Sequence, residues 1–282
     1  MLAETDVYLW LPLREQTAPI SPAERLALGR WLDQGSARRQ IHFHWSAGSV
    51  NPDGLAGEHS PALDALYQSA LQIDYPALSK AQDRAIALLR SGTVRVRTPA
   101  GTDLRFRLGE RPFNKQNGDA SAERSEAAQM RIDREIELPA GALRVAPIEE
   151  AVSGRIVIPA ARFGHQTARH IQLDIERGRV TRVAAKQNLS VVEAGLAAGG
   201  DAGRRFREFA LGFNPKLQAP GEPSLPYYGY GAGVVRLSLG DNQELGGQVR
   251  GNFVRWFFFP DATVDVNGRI LVRDGKLLDS TP

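Results

Sequence analysis

The hydrophobic period of this chain changes near residue 92. Before it, short apolar runs alternate with amphipathic helical stretches; after it, apolar and polar residues mostly alternate one by one, as in half-buried strands. One uniform architecture does not fit both halves. The pattern predicts an α/β (α+β) fold, with an N-terminal α/β portion at 1–91 and a β-rich domain at 92–282.

In the first part, Asp6 to Pro12 reads as an apolar strand, and Ser21-Pro22-Ala23-Glu24 opens a helix with an N-cap, a first-turn proline and a capping-box acid. That helix should stop near Gly35. Gln40 to Trp45 alternates as a strand does, Ser60-Pro61 begins a second helix, and Tyr75-Pro76 precedes a third that runs to Leu89 and ends at Gly92. In the second part, Thr93–Arg97 and Asp103–Leu108 predict a hairpin around Pro99 to Thr102. Strands follow at Gly154–Pro159, His170–Glu176 and Val180–Lys186, then a helix at Leu189–Ala198. Late strands are expected at Val234–Leu239, Phe253–Phe259, Thr263–Val266 and Ile270–Val272, with turns at Asn267-Gly268 and Asp274-Gly275. Residues 114–128 and 217–230 read as polar and Pro/Gly/Tyr-rich loops.

Composition excludes several classes of function. The chain of 282 residues has no cysteine, so disulfides, thiolate metal sites and a cysteine nucleophile are impossible. No run reaches the roughly 18 apolar residues of a membrane span, and the acidic N-terminus lacks the features of a secretory signal. A cytoplasmic protein with no membrane partner is expected. The net charge of +3 comes with scattered arginines and no nucleic-acid-binding motif, so no nucleic-acid partner is expected either. Nucleophile-elbow, phosphate-loop and dinucleotide fingerprints are absent.

Five marks in the second part follow one another in a recognisable order. They are Gly101-Thr102-Asp103-Leu104; Leu138-Pro139-Ala140-Gly141 followed by Ala146-Pro147; Arg207-Glu208 through Asn214; Gly233 through Arg236 to Gly240; and Asn252 through Arg255 to Phe257. Together they resemble the thermophilic-type M29 aminopeptidases and the iron-dependent dihydroxypyridine dioxygenases that share their fold. The similarity covers about residues 90–278, and the chain is shorter at its N-terminus than typical members. It implies a β-rich aminopeptidase-like domain and a homodimer.

The resemblance also implies a metal site, and here the pattern breaks. At the positions it aligns with ligands, Ala142 stands for a glutamate, Arg236 and Arg255 for histidines and Phe257 for aspartate, with Gln243 near a tyrosine; Glu208 alone is kept. A hydrolytic centre needs at least three nitrogen or oxygen ligands, and arginine has no lone pair to offer a cation. No catalytic residue, metal or cofactor is therefore expected.

What remains is a candidate binding pocket at the old active site: Glu208, Arg236, Arg255, Trp256, Tyr227, Tyr228 and Tyr230. Arg236 or Arg255 is expected to pair with Glu208, because an unpaired buried carboxylate is costly; the alternative is that both arginines project into solvent. The tyrosines and Trp256 offer amphipathic contact surface. The leading expectation is a catalytically inactive, peptide-binding protein that assists modification of a peptide, such as a ribosomal peptide natural product, by other enzymes. An enzyme with relocated chemistry is a second reading, around His42 and His44, which share one strand face but show no acidic third ligand, or around His165, His170 and Asp174. A structural, dimeric assembly subunit is a third.

Overall fold

The structure, a computed structural model, describes residues 4–11, 21–44, 61–217 and 230–278. These residues form a mixed α/β fold with three sheets. Strands β1 (Val7–Trp10) and β2 (Arg39–Phe43) flank helix α1 (Pro22–Asp33) in sequence; α2 (Pro61–Leu71) and α3 (Tyr75–Arg90) follow. Strand β6 (Glu135–Leu138) completes a parallel sheet in the order β1-β2-β6. The N-terminal sheet thus takes its third strand from well beyond residue 91.

Helix α1 begins as its residues dictate. The Ser21 hydroxyl accepts from the Glu24 N–H at 3.2 Å, and the Glu24 carboxylate accepts from the Ser21 N–H at 2.8 Å. Trp31, buried at its end, donates its indole N–H to the Thr5 carbonyl and ties the helix to the chain before β1. Asp74 caps α3, whose Leu78, Ala85, Leu88 and Leu89 line one buried stripe.

The second sheet has eight antiparallel strands. It contains β3 (Val94–Arg97), β4 (Asp103–Phe106), β8 (Ser153–Phe163), β9 (Gln166–Glu176), β10 (Arg179–Ala184), β14 (Thr263–Val266), β15 (Arg269–Arg273) and β16 (Lys276–Leu277), in the order β10-β9-β8-β4-β3-β14-β15-β16. The expected hairpin, turns and Leu189–Ala198 helix (α5) are all present. Strands β8 and β9 run longer than their apolar cores suggest because each satisfies the other's backbone along a shared ladder to the hairpin end at Phe163 and Gln166.

The third sheet carries the candidate site. Its strands are β5 (Asn114–Lys115), β7 (Ala142–Val145), β11 (Phe206–Gly212), β12 (Val235–Gly240) and β13 (Val254–Phe259), in the order β13-β12-β11-β7-β5. The 114–128 segment read as a loop holds β5 and a short helix, α4 (Ala122–Glu126), capped by Ser121. One face of this sheet is apolar: Leu143, Val145, Phe209, Leu211, Val235, Leu237, Phe257 and Phe259 join α3 and the eight-stranded sheet in one continuous core. Alternation then sends the residues between them to the opposite face.

Candidate functional site

The opposite face of the third sheet is built by register. Ala210 pairs with Arg144 on one side and Arg236 on the other, and Arg236 pairs with Phe258, so these four stand in one row across four strands. The next row is Glu208, Ser238 and Trp256. A β-bulge between Phe206 and Glu208 makes the arrangement possible: Phe206 enters the core, Glu208 turns to the polar face, and Arg207 lies beside it.

Glu208 is fully buried and receives three guanidiniums. Arg236 donates Nε to Oε1 at 2.9 Å and also Nη2 to the same oxygen. Arg144 donates Nη2 to Oε2 at 3.2 Å, and Arg207 donates Nε to Oε2 at 3.0 Å. Burial alone would raise the Glu208 pKa, but the charges of Arg144, Arg236 and Arg207 hold it well below the usual carboxylate range. Burial would conversely depress Arg144, yet Glu208 keeps its pKa raised. The rim adds Glu244, whose Oε1 accepts from Arg144 Nη2 at 3.2 Å and from Arg207 Nη2. Trp256, 40% exposed, covers the Arg236 guanidinium at 5.0 Å from ring centroid to Cζ.

Of the two arginines expected near Glu208, only Arg236 is there. Odd and even positions of β13 face opposite ways, so Arg255 and Phe257 lie on the other face from Trp256 and Phe258. Arg255 donates Nη2 to the Arg162 carbonyl at 2.6 Å and stacks near Phe163 at 4.5 Å. On β13, Trp256 and Phe258 alternate with Arg255 and Phe257, and it is the first pair that shares the face of Arg236. Neither arginine projects freely into solvent; Arg236 is buried and Arg255 half-buried. Gln243 sits on a short turn whose backbone N–H is held by Asp241 at 3.0 Å.

Tyr230 is buried beneath the same face, packed with Tyr67, Ala70, Ala142, Leu217 and Val234. Its carbonyl accepts from the Asn214 N–H at 2.8 Å, and a Cβ on Gly141, at φ +149°, would stand 2.8 Å from that oxygen. Gly141 thus permits the close approach of three segments. Burial raises the Tyr230 hydroxyl pKa, with the Glu137 charge adding to it, so the group stays protonated. Tyr227 and Tyr228 lie outside the described residues.

The second cluster corrects the reading of the histidine pair: an acidic neighbour does exist. Glu137 on β6 pairs in register with His42 on β2 and reaches both imidazoles, contacting His44 Nε2 directly and lying 3.7 Å from His42 Nδ1. Burial opposes ionisation of Glu137, but the two imidazoles beside it, His42 and the directly bonded His44, hold its pKa well below the ordinary range. Burial works against protonation of both imidazoles; for His42 the Glu137 bond and charge prevail and raise the pKa, whereas for His44 burial prevails and lowers it. By contrast, His165 and His170 are exposed on the β8–β9 hairpin, and Asp174 pairs with Arg155 at 2.8 Å, so those three form no site.

Sequence reasoning missed Arg144, Arg207, Glu244 and Glu137. Arg144 had a signal, a lone cation inside the apolar run Ala142 to Ala146. Glu137 had none, because its partners sit over ninety positions away.

The chain has an aminopeptidase-like fold. It superposes on wild-type AmpT from Thermus thermophilus with a TM-score of 0.62 and 17% identity, covering 91% of this chain and 80% of that one. It also superposes on 2,5-dihydroxypyridine dioxygenase from Pseudomonas putida KT2440 with a TM-score of 0.64 and 16% identity, covering 98% of this chain and 73% of that one. No family model matches the sequence, and no curated protein matches it. The metal that the family resemblance implies does not fit the residues present. Glu208 is engaged by Arg144, Arg207 and Arg236, whose guanidiniums have no lone pair for a cation and occupy both of its oxygens. Among the described residues, no group of three or more His, Asp or Glu side chains is arranged to hold a metal ion, and no helix is long and apolar enough to cross a membrane.

Proposed function

We propose that this chain is a catalytically silent, peptide-binding protein that holds a peptide for modification by other enzymes. The observation that carries the reading is the arginine-for-ligand exchange: Arg236, Arg144 and Arg207 saturate the one carboxylate kept from the resemblance's ligand set. A dication placed there would meet three fixed positive charges. Peptide binding is supported by the position of β13 at the end of the same sheet among the described residues. Val254 and Trp256 are exposed on that strand, and a depression of about 490 Å³ beside its start is lined by Phe163, Val191, Gly195 and Phe253. An extended peptide adding to such an edge gains main-chain hydrogen bonds and places alternate side chains in neighbouring pockets. The reading includes a homodimer, as the resemblance implies.

The test is calorimetric titration of the full chain with a mixed peptide library, run beside hydrolysis assays supplemented with zinc, cobalt, manganese or iron and a light-scattering mass. Saturable peptide binding with no hydrolysis is expected. Metal-stimulated cleavage that is abolished by Glu208→Ala would overturn it. A second reading, chemistry relocated to His42, His44 and Glu137, is favoured by the ionised carboxylate between two imidazoles near Tyr230; hydrolysis lost in Glu137→Gln but kept in Glu208→Gln would select it.

A further inference from the structure

Three buried guanidiniums on the polar face meet two carboxylates, and those two are not alike. Glu208 is fully buried and uses both oxygens. Glu244 lies on a short turn at the rim, its side chain 45% exposed, and binds Arg144 and Arg207 through one oxygen, Oε1. Asp241, next to that turn, is committed elsewhere: its carboxylate accepts from the backbone N–H groups of Gln243 at 3.0 Å and Gly251 at 2.7 Å. One positive charge is left in excess. A further donor is uncommitted on the same face, because the buried hydroxyl of Ser238, opposite Glu208 on the β11–β12 ladder, has no partner among the described residues.

We infer that Glu244 is a resident stand-in for a ligand carboxylate, and that the Arg144–Arg207 pair is a clamp for the C-terminal carboxylate of a bound peptide, opened when Glu244 swings out. Each step follows from what the two arginines can and cannot do. They cannot lose their protons, and their burial makes an uncompensated charge costly, so some anion always occupies the position. Glu244 is the replaceable one, since it is half in water and binds through a single oxygen. A ligand carboxylate brings two free oxygens to two guanidiniums in the geometry that favours paired, charge-assisted bonds. Glu244 then acts as an internal competitor, and the apparent affinity is the intrinsic one multiplied by the fraction of time the clamp stands free of it.

The inference rests on the peptide-binding reading and sharpens it to one end of the peptide. Three probes separate the possibilities by calorimetry: tetra-alanine with a free C-terminus, the same peptide as its C-terminal amide, and an N-acetylated, amidated peptide with an internal aspartate. The free acid is expected to bind about tenfold more tightly than the amide, the worth of charge-assisted hydrogen bonds. Glu244→Gln removes the competitor and should raise the free-acid affinity several-fold, widening the acid-to-amide ratio. The acid-to-amide contrast in the natural chain needs no variant, so a poorly folded Glu244→Gln protein does not block the test. Equal binding of acid and amide overturns the clamp and leaves the peptide-binding reading standing. Preference for the internal aspartate keeps the clamp but overturns its assignment to the terminus, and no binding by any probe or by the library overturns both readings. Inorganic phosphate competing as well as the free acid would show a general anion site and also defeat the assignment.

Discussion

Arg236 places its Nε 2.9 Å from Oε1 of the fully buried Glu208 carboxylate. With Arg144 and Arg207 on the same carboxylate, this contact is a buried charge network, and removing one member is worse than removing none. Glu208→Ala should lower unfolding free energy by about 3–5 kcal/mol, because three guanidiniums lose their shared anion. Arg255→Ala, by contrast, loses one carbonyl contact and ring packing and should cost about 1 kcal/mol. Urea denaturation of the two variants checks the difference.

Acid should weaken this protein through the same carboxylate. The Glu208 pKa is depressed in the folded chain relative to its ordinary value of 4.5, so its contribution is fully present above pH 4.5 and is lost as pH falls toward the folded value. Glu137 behaves likewise. Stability measured from pH 7 to pH 3 should fall mainly below pH 4.5, and Glu208→Gln should flatten that slope. An unchanged slope in the variant would contradict the assignment.

The two histidines should titrate apart. His42 has its pKa raised above 6.5, so the stability it contributes is present below that pH and is lost as pH rises through the folded value. His44 is depressed below 6.5, so its contribution is present above that pH and is lost as pH falls. NMR titration should find one imidazole on each side of 6.5, and Glu137→Gln should bring His42 down because the neighbouring carboxylate charge is gone.

Strand register predicts a sharp alternation along β13. Phe257, in the core, should cost about 3–5 kcal/mol when cut to alanine. Trp256 next to it, exposed over Arg236, should cost about 1 kcal/mol or less. Equal losses at both positions would place them on the wrong faces.

The same register makes a gain-of-function prediction. Ligands placed on the Glu208 face, as Ala142→Glu, Arg236→His, Trp256→His and Phe258→Asp, together with Arg144→Ala and Arg207→Ala to free both Glu208 oxygens, should let the purified protein retain zinc by elemental analysis. Placing the two β13 changes at Arg255 and Phe257 instead should not, because those side chains face away from Glu208.

Local chemistry was legible in the sequence wherever it acts within a few residues. The Ser21–Glu24 box, the Leu189–Ala198 helix and the turns at Asn267-Gly268 and Asp274-Gly275 rest on short-range geometry and stand as read. Glu208 and Arg236 were also visible, through the order of the surrounding marks. The parallel pairing of β6 with β2 was not, because two distant segments share no local pattern, and with it went the partner of His42 and His44. That Arg255 would not reach Glu208 was hidden too, because a period of two sends neighbouring residues to opposite faces and the register of β13 is set by its partner strand. Arg207 was hidden by the bulge, which breaks that period where it matters.

The guanidinium knot around Glu208 has a bearing on where such a protein can work. A histidine-and-carboxylate centre rises and falls with cellular zinc or iron supply and with proton concentration. Arginine keeps its charge across the whole biological range, so this sheet face holds its electrostatic identity under metal starvation, in the presence of chelators and in mildly acidic surroundings alike. The shape of this face is maintained by the chain's own side chains.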